Sequence, residues 1–234
     1  VIPGNGFWAV NEDNNADAGA PLNYFGTAFS LSSRGDEVFL FSANDEGLFT
    51  GYAHSAMFRA TENGVSIIRY VNGNGKEIFV PQTGPPTLEI NRFTAFPDGY
   101  PNSKPLVEKA VISEICYDPF IGGNEYIEIA NISDGVLPLY DTTSLQQGGD
   151  PNNNWKLDGV TFSFPGVRPT LQKDERVLII PKGVSVDQFK INYLVPDSVR
   201  VFGGDEGYEG ALNNAGEEIV LLRPDKPDFI VGQG

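Results

Sequence analysis

The sequence predicts an all-β fold, and three observations predict it. Of 234 residues, 27 are glycine, 17 proline and 19 asparagine, more than a quarter of the chain in turn-forming types. A helical bundle does not carry that load. The apolar residues come in short runs or in strict alternation, the periodicity of strands. Turn signals recur about every 8 to 15 residues, the spacing of a β-sandwich or barrel.

The elements follow in order. Phe7-Trp8-Ala9-Val10 is the first apolar run. Glu37-Val38-Phe39-Leu40-Phe41 is the next clear strand, bounded by Arg34-Gly35-Asp36 and Asn44-Asp45-Glu46-Gly47. Val111 to Cys116 reads as a buried strand, and Asn124 to Ile129 alternates polar and apolar side chains as a half-buried one does. Arg176 to Ile180 and Glu218 to Leu222 are rich in aliphatic residues and run toward Pro181 and Pro224. Proline has no N–H to give a ladder, so each is expected to close its strand. One helix is expected, Ser185 to Tyr193, with Ser185 as its cap and Phe189 and Tyr193 on one face.

Charge excludes several function classes. Sixteen basic against 31 acidic residues leave a net charge of −15. Phosphate backbones and anionic lipid headgroups are repelled by such a surface, so no nucleic-acid partner is expected. No apolar run approaches the roughly 18 residues of a membrane-spanning helix, so no membrane insertion is expected. The single cysteine, Cys116, and the single histidine, His54, supply no intrachain disulfide and no Cys/His zinc site. Cys116 reads as a core thiol. His54 lies in Gly51-Tyr52-Ala53-His54-Ser55-Ala56, and the chain has no nucleophile-elbow pattern to accompany it.

The chain also repeats itself. Residues 31–40 read Leu-Ser-Ser-Arg-Gly-Asp-Glu-Val-Phe-Leu, and residues 212–221 read Leu-Asn-Asn-Ala-Gly-Glu-Glu-Ile-Val-Leu, an ungapped offset of 181. Physically this is a tight turn feeding a strand, with Gly35 or Gly216 and a Ser or Asn pair supplying the turn. Between the copies, Phe96-Pro97-Asp98-Gly99-Tyr100-Pro101-Asn102-Ser103-Lys104-Pro105 reads as a stiff, extended linker. The expected organisation is therefore 1–91, a Pro-rich linker over 92–109, and 110–234.

Several spaced motifs of the second region agree with one family. Val111-Ile112-Ser113-Glu114-Ile115-Cys116-Tyr117-Asp118-Pro119 is followed by Asn124-Glu125-Tyr126-Ile127-Glu128-Ile129-Ala130-Asn131, then Val136 to Asp141, Trp155 to Val160, Phe162 to Pro165, and Leu212 to Ile219. Over about 110–230 this resembles the bacterial lamin tail domain. Cys116 stands where many relatives carry methionine, one apolar core residue for another. The resemblance implies an immunoglobulin-like β-sandwich, often repeated in large secreted or surface proteins, with binding and scaffold roles and no catalytic residues. Residues 1–91 resemble only the later part of the same domain: Phe29 to Phe41 match the turn and strand, Gly64 to Tyr70 the Gly-x-Ser-x-x-Arg strand, and Pro85 to Asn91 the closing segment. The first unit is thus expected to be incomplete at its N-terminus, the second to lack its closing strands, as in a window cut from a tandem array. Losing roughly 500 Å2 of apolar contact costs on the order of 12 kcal/mol, as much as a domain's whole stability. Strand pairing with another chain is one way to recover it.

Candidate ligand sites are few. Asn11-Glu12-Asp13-Asn14-Asn15-Ala16-Asp17 is the densest oxygen cluster, and Asp13, Asn15 and Asp17 at alternate positions are the candidate calcium ligands, although the loop lacks the glycine and glutamate of an EF-hand. Gly148 to Asn154 and Gly203 to Glu209 are similar loops. Arg34-Gly35-Asp36 spells an adhesion tripeptide inside the repeat's turn, Asn131-Ile132-Ser133 a glycosylation sequon, and Glu125/Glu128, Glu217/Glu218 and Asp36/Glu37 are paired carboxylates of the sort glycosidases use. Trp8 and Trp155 are candidates for either a core or a sugar platform. The expectation is a non-catalytic structural or adhesive module of a secreted or cell-surface repeat protein, whose partners are neighbouring repeats or other copies of the chain in a filament. The alternative is a calcium- or carbohydrate-binding accessory module of an extracellular enzyme.

Overall fold

The computed structural model describes residues 10–11, 23–24, 31–32, 34–61, 65–83 and 104–224. The chain falls into two compact units, Val1–Val107 and Glu108–Gly234. Both are predominantly β-strand, arranged in several small and mostly antiparallel sheets.

In the first unit, β1 (Val10–Asn11) and β2 (Asn23–Tyr24) form a short parallel pair. β3 (Gly35–Ala43) and β4 (Phe49–Arg59) form a long antiparallel hairpin, and β5 (Ile67–Val71) and β6 (Glu77–Pro81) a shorter one. Both hairpins close on the same asparagine chemistry. Asn44 Oδ1 accepts from the amides of Glu46 and Leu48, and Asn72 Oδ1 from those of Asn74 and Lys76. An asparagine carboxamide reproduces a backbone turn, which is why Asn-x-x-Gly punctuates both places. After β6, Lys104 to Leu106 lie alongside its end, with Leu106 N–H donating to Pro81 O and Thr83 N–H to Lys104 O. The C-terminal end of the expected linker is therefore hydrogen-bonded to β6, and residues 92–103 lie outside the described residues. Ile68 is the one buried large hydrophobic among the described residues of this unit.

The second unit holds the main core. β7 (Ala110–Cys116), β8 (Tyr126–Asn131), β13 (Arg176–Lys182) and β14 (Arg200–Gly204) make a four-stranded sheet in the order β14-β13-β8-β7. β10 (Lys156–Asp158), β11 (Phe162–Ser163) and β15 (Val220–Leu222) make a three-stranded sheet in the order β11-β10-β15. β9 (Leu137–Pro138) pairs with β12 (Thr170–Leu171). Alternation along β8 and β13 sends Ile127, Ile129, Val177 and Ile179 to one side, where they cluster with Leu157, Phe162, Phe164, Leu171 and Phe202. The opposite side of β13, Leu178 and Ile180, packs against Phe189 of helix α1 (Val186–Tyr193). The helix starts where the sequence placed it, and Ser185 Oγ accepts from the amide of Gln188 as a cap should.

Two features depart from the expectation. Pro181 does not end its strand: β13 runs on to Lys182. The ladder shifts register between Ile179 and Lys182, and Tyr208 bridges the gap, its N–H donating to Ile180 O and its carbonyl accepting from Lys182 N–H. The proline's missing donor thus falls where no partner asks for one. The second departure is β14, which lies parallel to β13 and is reached through α1, whereas hairpin spacing anticipates only antiparallel neighbours.

Candidate interaction surface

The 181-residue repeat is a repeat of hydrogen bonds. In the first copy, Gly35 N–H donates to Ser32 O at 3.1 Å, Arg34 N–H to Ser32 Oγ at 3.2 Å and Ser32 N–H to Asp36 Oδ2 at 3.2 Å. In the second, Gly216 N–H donates to Asn213 O at 2.8 Å, Ala215 N–H to Asn213 Oδ1 at 2.9 Å and Asn213 N–H to a Glu217 carboxylate oxygen. Each bond has its counterpart 181 residues on. The glycines agree too, with φ of 108° at Gly35 and 98° at Gly216, a region that L side chains avoid.

The two copies differ in what surrounds them. Leu212 is 5% exposed and its counterpart Leu31 is 47% exposed. Ile219 and Leu221 pack against the main core, while their counterparts Val38 and Leu40 are 43% and 52% exposed. β15 is held by β10 at one edge, and β3 by β4. The other side of β3 carries Phe39 and Phe41, with rings stacked at 5.9 Å and 12° and both about half exposed, next to Phe49. The β3–β4 hairpin is therefore the main apolar surface among the described residues of the first unit. On its Leu40 side, His54 Nε2 lies 2.7 Å from Glu77 Oε1, and Arg69 pairs with the other carboxylate oxygen. These contacts, His54 first, hold Glu77 below the ordinary carboxylate range.

The other candidates that lie among the described residues are engaged in local structure. Asp13, Asn15 and Asp17 lie outside the described residues, as does Trp8. Among the described residues, no three Asp, Glu, His or Cys side chains group as a metal site. In the 148–154 loop, Asp150 Oδ1 accepts from Asn152, and Asp141 accepts from the amides of Thr143 and Asp150. Burial opposes ionisation of Asp141, but the Thr143 hydroxyl and these amides outweigh it and lower its pKa. In the 203–209 loop, Glu209 pairs with Lys182 at 2.6 Å. Asp36 of the Arg-Gly-Asp tripeptide spends its carboxylate on the amides of Ser32 and Glu37.

The paired carboxylates separate likewise. Glu125 Oε2 accepts from the buried Tyr208 hydroxyl and from Leu212 N–H, both at 2.9 Å, while Glu128 pairs with Arg176. Asn131 is 2% exposed and donates through Nδ2 to three carbonyls, those of Gly135, Leu171 and Gln172, so the sequon's nitrogen is not presented as an acceptor in the folded chain. Trp155 belongs to the core rather than to a solvent-facing platform. Cys116 is half-buried, and burial, together with the charges of Glu114, Asp118 and Glu125, pushes its thiol pKa up, away from nucleophilic use.

A cleft of about 270 Å3 lies between Tyr140, Asp141, Trp155 and Arg223. Of its two carboxylates, that of Asp141 is already taken by loop amides and that of Glu108 pairs with Arg223 at 3.4 Å.

No protein-family model, no curated protein and no solved structure matches the chain. The likeness to lamin tail domains therefore rests on the motifs themselves.

Proposed function

We propose that this chain is a non-catalytic structural or adhesive module of a secreted or cell-surface repeat protein, built from tandem lamin-tail-like units of immunoglobulin-like sandwich form. The observation that carries this reading is the turn at offset 181. The same hydrogen bonds are made twice, once over a finished core and once beside exposed Val38 and Leu40. A repeated unit whose strands are shared with its neighbours accounts for both states, and the acidic surface suits an extracellular setting. Sedimentation of the full chain over a range of concentrations tests the assembly. The expected result is reversible association that Leu40→Asp weakens at least tenfold, and a monomer at every concentration overturns it.

One observation favours a second reading, carbohydrate binding. Phe39 and Phe41 present near-parallel, half-exposed rings on the solvent side of β3, and aromatic faces stack on sugar rings. Retention on insoluble polysaccharides that Phe39→Ala and Phe41→Ala remove would establish it. Passage of the wild-type chain without retardation ends it.

A further inference from the structure

The two copies of the repeat turn hold opposite edges of the same strand. In an antiparallel ladder, successive residues direct their backbone polar groups to alternate sides. Below the register shift that the β3–β4 ladder shows between Phe41 and Ala43, Gly35 N–H donates to Ser32 O and Glu37 N–H to the Asp36 carboxylate rather than to β4. Leu40 and Val38 therefore point their N–H and C=O toward β4, and Glu37, Phe39 and Phe41 point theirs the other way. In the second unit, Phe164 N–H donates to Trp155 O, so Leu157 turns its polar groups toward β11, and Lys156 and Asp158 turn theirs toward β15. Leu157 stands opposite Leu221, and Asp158 and Lys156 stand opposite Val220 and Leu222. Hence Val220 and Leu222 are hydrogen-bonded to β10, and Leu221 points away from it. At offset 181, Val220, Leu221 and Leu222 correspond to Phe39, Leu40 and Phe41. The edge that β10 fills on β15 is the edge of β3 that has no strand partner among the described residues. The edge that β4 fills on β3 is the one that has no strand partner on β15 among the described residues.

We infer that the open edge of β3 is a docking site for a β10–β11 type hairpin from another module like residues 108–219 whose own β15 seat is vacant, because in the unit described here β15 already fills that edge of β10. The incoming strand lies antiparallel, with its Leu157 equivalent against Leu40 and its Asp158 and Lys156 equivalents bonded to Phe39 and Phe41. The partner's chemistry follows from the occupied copy. It brings a strand with an apolar residue flanked by polar ones, and that apolar residue joins Val38 and Leu40 on the side where Ile219 and Leu221 already meet a core. This is strand addition to a sheet edge, in which main-chain bonds give affinity and alternate side chains give register. The inference rests on the repeat reading of the chain and adds to it the partner strand and its register.

The test uses the full chain and a synthetic peptide of residues 153–166, with amide hydrogen exchange read residue by residue. Saturating peptide is expected to slow exchange at Phe39 and Phe41 at least tenfold and to leave Leu40 unchanged, because its amide is already bonded to β4. A second probe, a peptide of residues 49–59, is expected to protect Leu221 and not Val220 or Leu222. No added protection at Phe39 and Phe41, protection of Leu40 instead, or equal protection by a peptide with Leu157→Asp overturns the inference. A chain that takes the peptide yet sediments as a monomer keeps the docking site and removes the assembly reading. A chain that associates but ignores both peptides does the reverse.

Discussion

Asn131 shows how much one side chain can hold. Its carboxamide donates to three carbonyls, one in the loop at Gly135 and two at the end of β12, and its oxygen accepts from Ser133 N–H and Oγ. Asn131→Ala removes the donor from the buried Leu171 carbonyl, while Gly135 O keeps the Ser133 hydroxyl and Gln172 O keeps Glu175 N–H; a buried group left unpaired costs about 1–3 kcal/mol. A loss of about 2–4 kcal/mol is expected in urea denaturation of the second unit. Asp141 makes a pH prediction. Its folded-state pKa lies below the ordinary carboxylate value, so its contribution is complete above the unfolded pKa and is lost as pH falls through the folded one. As pH falls below the ordinary aspartate value of about 3.9, Asp141→Asn should lose less further stability than the wild type, having already given up its charge-assisted bonds. Acid titration followed by tryptophan fluorescence reads the difference. The two turn glycines form a matched pair. Both adopt positive φ, but a Cβ at Gly35 would lie 2.7 Å from Phe58 O, and one at Gly216 meets nothing within 4 Å. Gly216→Ala should cost about 1 kcal/mol from the backbone alone, and Gly35→Ala clearly more, seen as faster amide exchange in the β3–β4 hairpin.

Helix α1 is the element where local and tertiary signals agree. Phe189 is buried between Leu178 and Ile180, and its ring stacks on Tyr193 at 4.5 Å. Phe189→Ala should cost about 3–5 kcal/mol, and Ser185→Ala about 1 kcal/mol, both measured by chemical denaturation. That helix was legible because its cap and its i, i+4 aromatics lie within nine residues. Strands β3, β7, β8 and β13 were legible for the same reason, since alternation and apolar runs are local signals, whereas β4, the longest strand, was not read from the sequence. β14 was not, because Arg200-Val201-Phe202-Gly203-Gly204 is short, and its parallel seat beside β13 depends on the helix that delivers it. Pro181 was misread because its tolerance depends on Tyr208, 27 residues away. The turn of the candidate surface was legible, since its residue types recur at a fixed offset. Which edge of each strand is filled was not. That follows from hydrogen-bond parity, which residue identities do not encode.

At the scale of the molecule, charge sets the conditions for association. A chain of net charge −15 repels its own copies, and that repulsion shrinks as the Debye length falls from about 10 Å at 0.1 M salt to about 3 Å at 1 M. Apolar strand edges gain nothing from low salt. Association should therefore strengthen as salt rises, the reverse of a charge-driven contact, and sedimentation at two ionic strengths reads the sign. The four-stranded sheet of the second unit adds a geometric consequence. One face is spent on the main core and the other on α1, so neither face is left for piling layer on layer. If modules assemble by the proposed strand addition, growth would run laterally, in the direction of the backbone bonds, and would give ribbons one module thick whose oriented specimens diffract strongly at the rung spacing.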